Sequence, residues 1–189
     1  MIETERLILR NWLEHDRALF HEINSDDAVM EFFPFRRNRE QSDALMDSIR
    51  GKIQNRNYGL FAAELKTSGE TIGFIGIQDN EETPHYKPKT IDIGWRLAKR
   101  HWGKGLASEG ARAALAFGFK TQAIDEITAM AVATNRRSIA VMERIGMREL
   151  HGFSFLHKRV PDSHRHLQLH VLYHITRTQW AAQDRVRPA

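Results

Sequence analysis

The sequence predicts one mixed α/β domain, with a sheet that combines antiparallel hairpins and a parallel crossover and has helices on both faces. Three observations carry that expectation. Apolar periodicity orders the elements as β-α-α-β-β-β-α-β-α-β-β. The strands at 59–65 and 71–78 are joined by the short turn Lys66-Thr67-Ser68-Gly69, which implies antiparallel pairing. The strand–helix–strand–helix run over 90–145 implies parallel pairing with helices packed on the sheet.

Each element has a local reason. Residues 6–11 alternate and read as a strand, and 16–24 place Leu19, Phe20 and Ile23 on one helical face. A second short helix is expected over 25–32, stopping before Pro34 because the residue preceding proline disfavours helical geometry. In 41–56, Leu45, Ile49 and Ile53 recur four apart and share one side of a helix. After the hairpin, 79–89 reads as a loop with Pro84 and Pro88. Thr90 to Leu97 is a strand, followed by a basic glycine-containing turn and a long helix over about 105–119. Residues 127–132 form a strand, and 136–145 a helix with Gly146 as its C-terminal stop. Two last strands are expected at 148–155 and 167–176, separated by a loop with Pro161.

Composition narrows the function classes. The 189 residues, 41% hydrophobic and 28% charged, suit a single domain over 1–189 with a sizeable core and a flexible tail from about 183. With no cysteine, disulfides, thiolate metal sites and a Cys nucleophile are excluded. The charged start Met1-Ile2-Glu3-Thr4-Glu5-Arg6 lacks the apolar stretch of a secretory signal. No apolar run approaches the ~18 residues of a membrane span. The expectation is a cytoplasmic protein without a membrane partner.

A net charge of +4 points to an anionic partner, nucleic acid or a phosphate-rich cofactor. The basic residues cluster at 36–39, at 99–104, at Arg136-Arg137 and at 157–159; the first and last read as solvated faces. Trp12, Trp95, Trp102 and Trp180 are dispersed and build no stacking ladder for single strands, so nucleic acid is not the expected partner.

The most informative segment is Arg100 to Ala107. Glycine at 103 and 105 lets an anion approach the backbone closely. The first N–H groups of the following helix lack intrahelical acceptors, and the helix dipole adds about half a positive charge there. Arg100 and Lys104 add full charges, so a pyrophosphate suits the turn. Gly110, Ala111, Ala113, Ala114, Ala116 and Gly118 let that helix sit close to the sheet. A Walker A loop is excluded, because Gly103-Lys104 is followed by Gly105 rather than Ser or Thr. A dinucleotide fingerprint is only partly matched: its third glycine position is Ser108, and the turn lies mid-chain.

Arg100-His101-Trp102-Gly103-Lys104-Gly105 resembles the Q/R-x-x-G-x-G/A signature of the GCN5-related N-acetyltransferases. The resemblance extends along the chain. Thr4 to Arg10 is similar to the opening strand of the RimJ/RimL-like branch, 71–76 to its central hairpin strand, and 91–97 to the strand before the cofactor turn. Asn135-x-x-Ser138 with 142–147 is similar to its fourth helix, and His170 to Tyr173, ending at Trp180, to its last strand and tail.

The resemblance implies a sheet that splays open, and transfer of acetyl from acetyl-CoA to a primary amine on a small molecule or a protein N-terminus. It implies that the pantetheine arm meets Trp95, Arg96 and Leu97. The pyrophosphate would lie on the backbone N–H groups of Trp102, Gly103, Lys104, Gly105, Leu106 and Ala107, with Arg100 opening the turn and Asn135 and Ser138 reaching the arm from the next helix.

Direct attack needs a base for the ammonium, a donor for the oxyanion and a proton for the thiolate. A backbone N–H near Trp95 would serve the oxyanion. Asp92 stands where many relatives place a glutamate base, on one face with Gly94 and Arg96; pairing with a neighbouring arginine is the alternative. Met142 occupies the position where many relatives carry a proton-donating tyrosine, which leaves Ser138, Tyr173 or water as the acid.

Glu31, Phe32 and His170 are the expected acceptor-side residues, although an ordinary helix–helix core is the favoured reading of the Phe32 segment. His166-x-x-x-His170 has zinc spacing only on a helix; on a strand the two stand about 13 Å apart, so no metal is expected. The resemblance implies a monomer or homodimer. The alternative function is a non-catalytic CoA-binding or nucleic-acid-binding module on the same fold.

Overall fold

The alternating segments assemble into one nine-stranded mixed sheet in the computed structural model, which describes residues 1–81, 83 and 86–184. The strands are β1 (Ile2–Glu3), β2 (Leu7–Arg10), β3 (Leu60–Leu65), β4 (Thr71–Asn80), β5 (Thr90–Leu97), β6 (Glu126–Val132), β7 (Arg148–Glu149), β8 (Phe155–Leu156) and β9 (Leu169–Thr176). They lie in the order β1-β2-β3-β4-β5-β6-β9-β7, and β8 also pairs with β9. Every pairing is antiparallel except β5 with β6.

That exception shapes the molecule. β5 and β6 share only the rungs Ile91↔Ile127 and Asp92↔Thr128. β5 stays paired with β4 as far as Leu97, and β6 stays paired with β9 as far as Val132. The two therefore diverge beyond Asp92 and Thr128, leaving the β6-facing edge of β5 open over 93–97.

Five α-helices occur among the described residues: α1 (Arg17–Ser25), α2 (Arg39–Arg56), α3 (Leu106–Lys120), α4 (Arg136–Arg144) and α5 (Arg177–Asp184). Strand alternation assigns them to faces. Phe74 meets Phe20 of α1 at 6.5 Å between ring centroids. Its neighbour Ile75 points the other way, where a side chain at Gly110 of α3 would strike the Ile75 and Leu7 methyl groups. Thus α1 and α3 cover opposite faces, as the sequence predicts. The core between them includes Leu7, Phe20, Ile75, Leu115 and Ile127, each fully buried. No helix among the described residues is long and apolar enough to cross a membrane.

Three local expectations are corrected. The second short helix expected over 25–32 does not form, and beyond Ser25, the last residue of α1, residues 26–32 are not helical. Asp26 takes an extended backbone, ends α1 and accepts the Val29 N–H at 2.8 Å, so the chain continues as turns closed by Met30 to Asp26 and Phe33 to Met30. The strand expected at 148–155 is interrupted, because Phe153 N–H turns back to the Leu150 carbonyl and only the two ends pair with β9. A helix, α5, continues directly from β9 and contains 183 and 184; the rest of the expected tail, and Pro84 of the expected loop, lie outside the described residues.

Candidate functional site

The divergence of β5 and β6 opens a cavity of about 1240 Å³ that runs from Asp92 to the start of α3. Cross-strand partners share a face, so the rungs Phe74↔Arg96, Gly76↔Gly94 and Gln78↔Asp92 put these residues on the α1 side. Ile75↔Trp95 and Ile77↔Ile93 lie on the α3 side. The cavity thus joins two half-sites through the gap in the sheet.

On the α3 side the turn is rigidly made. Trp102 Nε1 donates to the Leu97 carbonyl at 2.8 Å and ties the turn to the end of β5. Gly103 and Gly105 have φ of 73° and 77°, a left-handed backbone that side chains rarely adopt. The first backbone bond of α3 runs from Glu109 N–H to the Gly105 carbonyl at 3.0 Å, so the N–H groups of 106–108 have no acceptor within the helix. Leu106, Ala107 and Ser108 line the cavity there.

Arg6, just before β2, supports the turn: its Nη1 donates to the Lys104 carbonyl at 3.0 Å, and it pairs with Glu109 at 2.6 Å. Burial raises the Glu109 pKa, but hydrogen bonds from Thr4 and from the Arg6 backbone and side chain outweigh it and hold the carboxyl below its usual range.

The cationic side chains expected at this turn are placed elsewhere. Arg100 lies outside the cavity lining, in ion pairs with Glu22 and with Glu70, the latter at 3.0 Å. Lys104 is exposed and also outside the lining. Arg112, Arg136 and Arg144 line the cavity instead. Sequence reading noticed Arg136 only as part of a basic pair; the signal for the other two is their arginine content on helices flanking the turn.

Asp92 is buried at the apex of the gap, where the Thr128 hydroxyl donates to its Oδ1 at 3.3 Å. Gly94, Trp95 and Leu97 line the cavity along β5. Arg96 lines it too, but its side chain turns to the α1 face, away from Trp95 and Leu97. Its Nη1 donates to Asn24 Oδ1 at 2.6 Å, and its guanidinium lies 4.3 Å from the Phe33 ring centroid and 5.2 Å from that of Phe74. Asn24 and Phe33 carry no sequence signal for this role.

From the opposite wall, Asn135 begins α4 and accepts the Ser138 N–H at 3.1 Å through Oδ1, which commits that oxygen to capping. Asn135, Ser138 and Met142 all line the cavity. Arg137 lies over Trp102, at 4.7 Å to the centroid, and over Phe32 at 5.7 Å, and it pairs with Glu31. Phe32 reaches the cavity, whereas Glu31 lies outside its lining.

β9 separates its two candidates by alternation. His170 pairs with Val132 and lines the cavity, stacked on Phe155 and 4.8 Å from the His157 ring centroid. Burial, above all, lowers the His170 pKa and favours the neutral ring. Tyr173 points to the other face, outside the lining, beside Glu143 and Glu149; burial and these two acids raise its pKa. No group of three or more His, Asp or Glu among the described residues is arranged to hold a metal ion.

The architecture is matched among known proteins. The family described as acetyltransferase (GNAT) domain matches residues 6–148. YkkB of Bacillus subtilis (strain 168), described as uncharacterized, is 32% identical over 145 residues, which is 76% of this chain and 83% of that protein. YnaD of the same organism, described as an uncharacterized N-acetyltransferase, is 31% identical over 150 residues, 78% of this chain and 82% of its own length. A solved acetyltransferase of the GNAT family from Bacillus anthracis superposes with a TM-score of 0.77 at 28% identity, covering 94% of this chain and 98% of that one.

Proposed function

The chain belongs to the acetyltransferase (GNAT) domain family, and from that premise we propose that it transfers the acetyl group of acetyl-CoA to a primary amine on a small molecule or a protein N-terminus. One observation carries the reading: a single cavity connects the open edge of β5 and the unpaired N–H groups of α3 with a buried carboxylate, Asp92, at its apex. The open edge suits an amide-containing arm, which hydrogen-bonds as an added strand would. The first turn of α3 suits a pyrophosphate.

In this reading the donor enters from the α3 side and the amine from the α1 side. Asp92 takes the proton of the incoming ammonium, directly or through water, so that a neutral amine attacks the thioester carbonyl. A β5 backbone N–H near Trp95 donates to the developing oxyanion. Ser138 is better placed than Tyr173 to return a proton to the thiolate, because it lines the cavity and Tyr173 does not. Placement in the RimJ/RimL-like branch rests on the resemblance of Thr4–Arg10 and of the Asn135-x-x-Ser138 helix start.

The experiment is release of free thiol from acetyl-CoA across a panel of amines and peptides, with calorimetry for CoA itself. Saturable, amine-dependent release supports the proposal. Absence of CoA binding at millimolar concentration overturns it, and tight CoA binding without turnover of any amine or peptide indicates a non-catalytic module.

A further inference from the structure

Several arginines near the cavity or in the core have a carboxylate partner. Arg6 meets Glu109, Arg10 meets Asp16, Arg100 meets Glu70 and Arg137 meets Glu31. Arg96 and Arg37 meet none among the described residues. Both are organised by one residue, Asn24, which is fully buried. The Asn24 amide donates to the Phe20 carbonyl at 2.7 Å, which turns its oxygen toward Arg96. The Asn24 backbone carbonyl accepts the Arg37 N–H at 2.9 Å. The Arg37 guanidinium lies over Phe35 at 4.6 Å, and its Nε is buried without a hydrogen-bond partner among the described residues.

This arrangement is costly without a ligand. The Arg96 guanidinium and the Arg37 Nε are withdrawn from solvent, and the two groups are close enough that the charge of one acts on the other. Burial, reinforced by Arg37, pushes the Arg96 pKa down to about 9, and burial lowers that of Arg37. A desolvated cation requires a counter-charge or hydrogen-bond acceptors. Asn24 supplies one acceptor, and the aromatic rings of Phe33 and Phe74 hold the fork flat. The remaining Arg96 donors have no hydrogen-bond partner among the described residues, although the residue lines the cavity. A planar fork fixed in this way suits a bidentate anion. The cofactor phosphates do not supply it in the proposed binding mode, because they belong to the α3 side and Arg96 faces α1.

We propose that the acceptor carries an anionic group, a carboxylate or a phosphate, in addition to its amine, and that Arg96, assisted by Arg37, recognises that group. The inference rests on the acetyl-transfer reading for the amine end of the acceptor and on the two arginines for the anionic end. Asp92 and Arg96 stand four residues apart on one strand face, about 13 Å at the backbone. The acceptor therefore has several atoms between its two groups. A buried acid for the amine at one end and unpaired cations at the other select such a molecule over a simple amine or a polyamine.

The test uses 6-aminohexanoate, 5-aminopentyl phosphate, hexylamine and 1,6-diaminohexane. Each is titrated by calorimetry into the protein with and without saturating CoA, and each is assayed for thiol release from acetyl-CoA. At least one anionic amine is expected to bind about tenfold or more tightly than the neutral-chain amine and the diamine. The better of the two anions identifies carboxylate or phosphate.

Arg96→Met is expected to erase the preference while leaving hexylamine affinity within about twofold, with Arg96→Lys intermediate because it keeps charge without the fork. Arg37→Met is expected to reduce the preference and, lying outside β5, serves as the test if Arg96→Met fails to fold. Equal or weaker binding of both anionic amines, or binding of none of the four, overturns the inference. Equal weakening of all four by Arg96→Met also overturns it, since that is the signature of a purely structural arginine. Thiol release from neutral amines without anion preference sinks this inference alone. An anion preference without any thiol release sinks the acetyl-transfer reading instead.

Discussion

Asp92 and Thr128 form the last rung that β5 and β6 share, and the Thr128 hydroxyl donates to Asp92 Oδ1 at 3.3 Å. The same hydroxyl approaches the Ile91 carbonyl at 3.2 Å, so Thr128 bridges the two strands where they part. A carboxylate at this point is buried, oriented by its neighbour and exposed to the apex of the cavity. In the proposed reaction, that is the position from which Asp92 takes a proton from the incoming amine.

Asp92→Asn is therefore expected to lower kcat/KM by roughly 100-fold near neutral pH, in the range of a lost general base. CoA affinity should change by less than about threefold. The deficit should shrink as pH rises, because more of the amine is then neutral without help. A pH profile of turnover beside calorimetric CoA titration checks this; wild-type turnover near neutral pH would remove Asp92 as the base.

Gly105→Glu is expected to weaken CoA binding by about 2 kcal/mol or more, roughly 30-fold. The residue has φ of 77°, so any side chain there strains the turn, and glutamate adds negative charge where phosphates are expected. Isothermal titration with CoA measures it, and unchanged affinity would mean that the turn is not the phosphate site.

Gly110→Val is expected to destabilise the fold by about 1–3 kcal/mol through overpacking. The added methyls meet Ile75 and Leu7, the contact that holds α3 against the sheet. Urea unfolding reads the loss. CoA binding should weaken as well, since the start of α3 would be displaced. A variant as stable as the parent would show that α3 has room to move.

Asp16→Asn is expected to destabilise the protein by about 3 kcal/mol at pH 7, the scale of breaking a buried ion pair. Burial raises the Asp16 pKa, but hydrogen bonds from Arg10, Thr71 and the Leu13 N–H outweigh it and hold the group below its usual range. A depressed folded-state pKa means that the stabilisation is present above the unfolded value, near 3.9, and is lost as pH falls through the folded one. The gap between variant and parent in urea unfolding should thus narrow below about pH 4. A gap that persists at low pH would assign the effect to packing rather than charge.

Much of the fold was legible because its causes are local. The strands β2 to β6 and β9, and the helices α1 to α4, follow from periodicity and stop signals within a few residues. The errors arose where local signals were weak or competing. Asp26 can cap a turn as readily as it can join a helix, and in the fold it accepts the Val29 N–H and caps a turn. The continuation of β9 into α5 lacks the apolar periodicity that a helix shows when it is strongly amphipathic.

The site divides in the same way. The sequence by itself determined the turn at 102–107, the strand before it and the placement of Asp92 beside Gly94 and Arg96 on one face, since these depend on backbone chemistry and strand alternation. Only the tertiary structure decided which cations serve the cavity. Arg100 is drawn to Glu22 and Glu70, residues far from it in the chain, and is lost to the turn. Arg96 is drawn to Asn24 and two phenylalanines and faces the other half-site. Tyr173 is turned toward Glu143 and Glu149 by the register of β9. A long charged or polar side chain goes where the folded chain supplies its partner, and sequence spacing carries no record of partners brought together across the sheet.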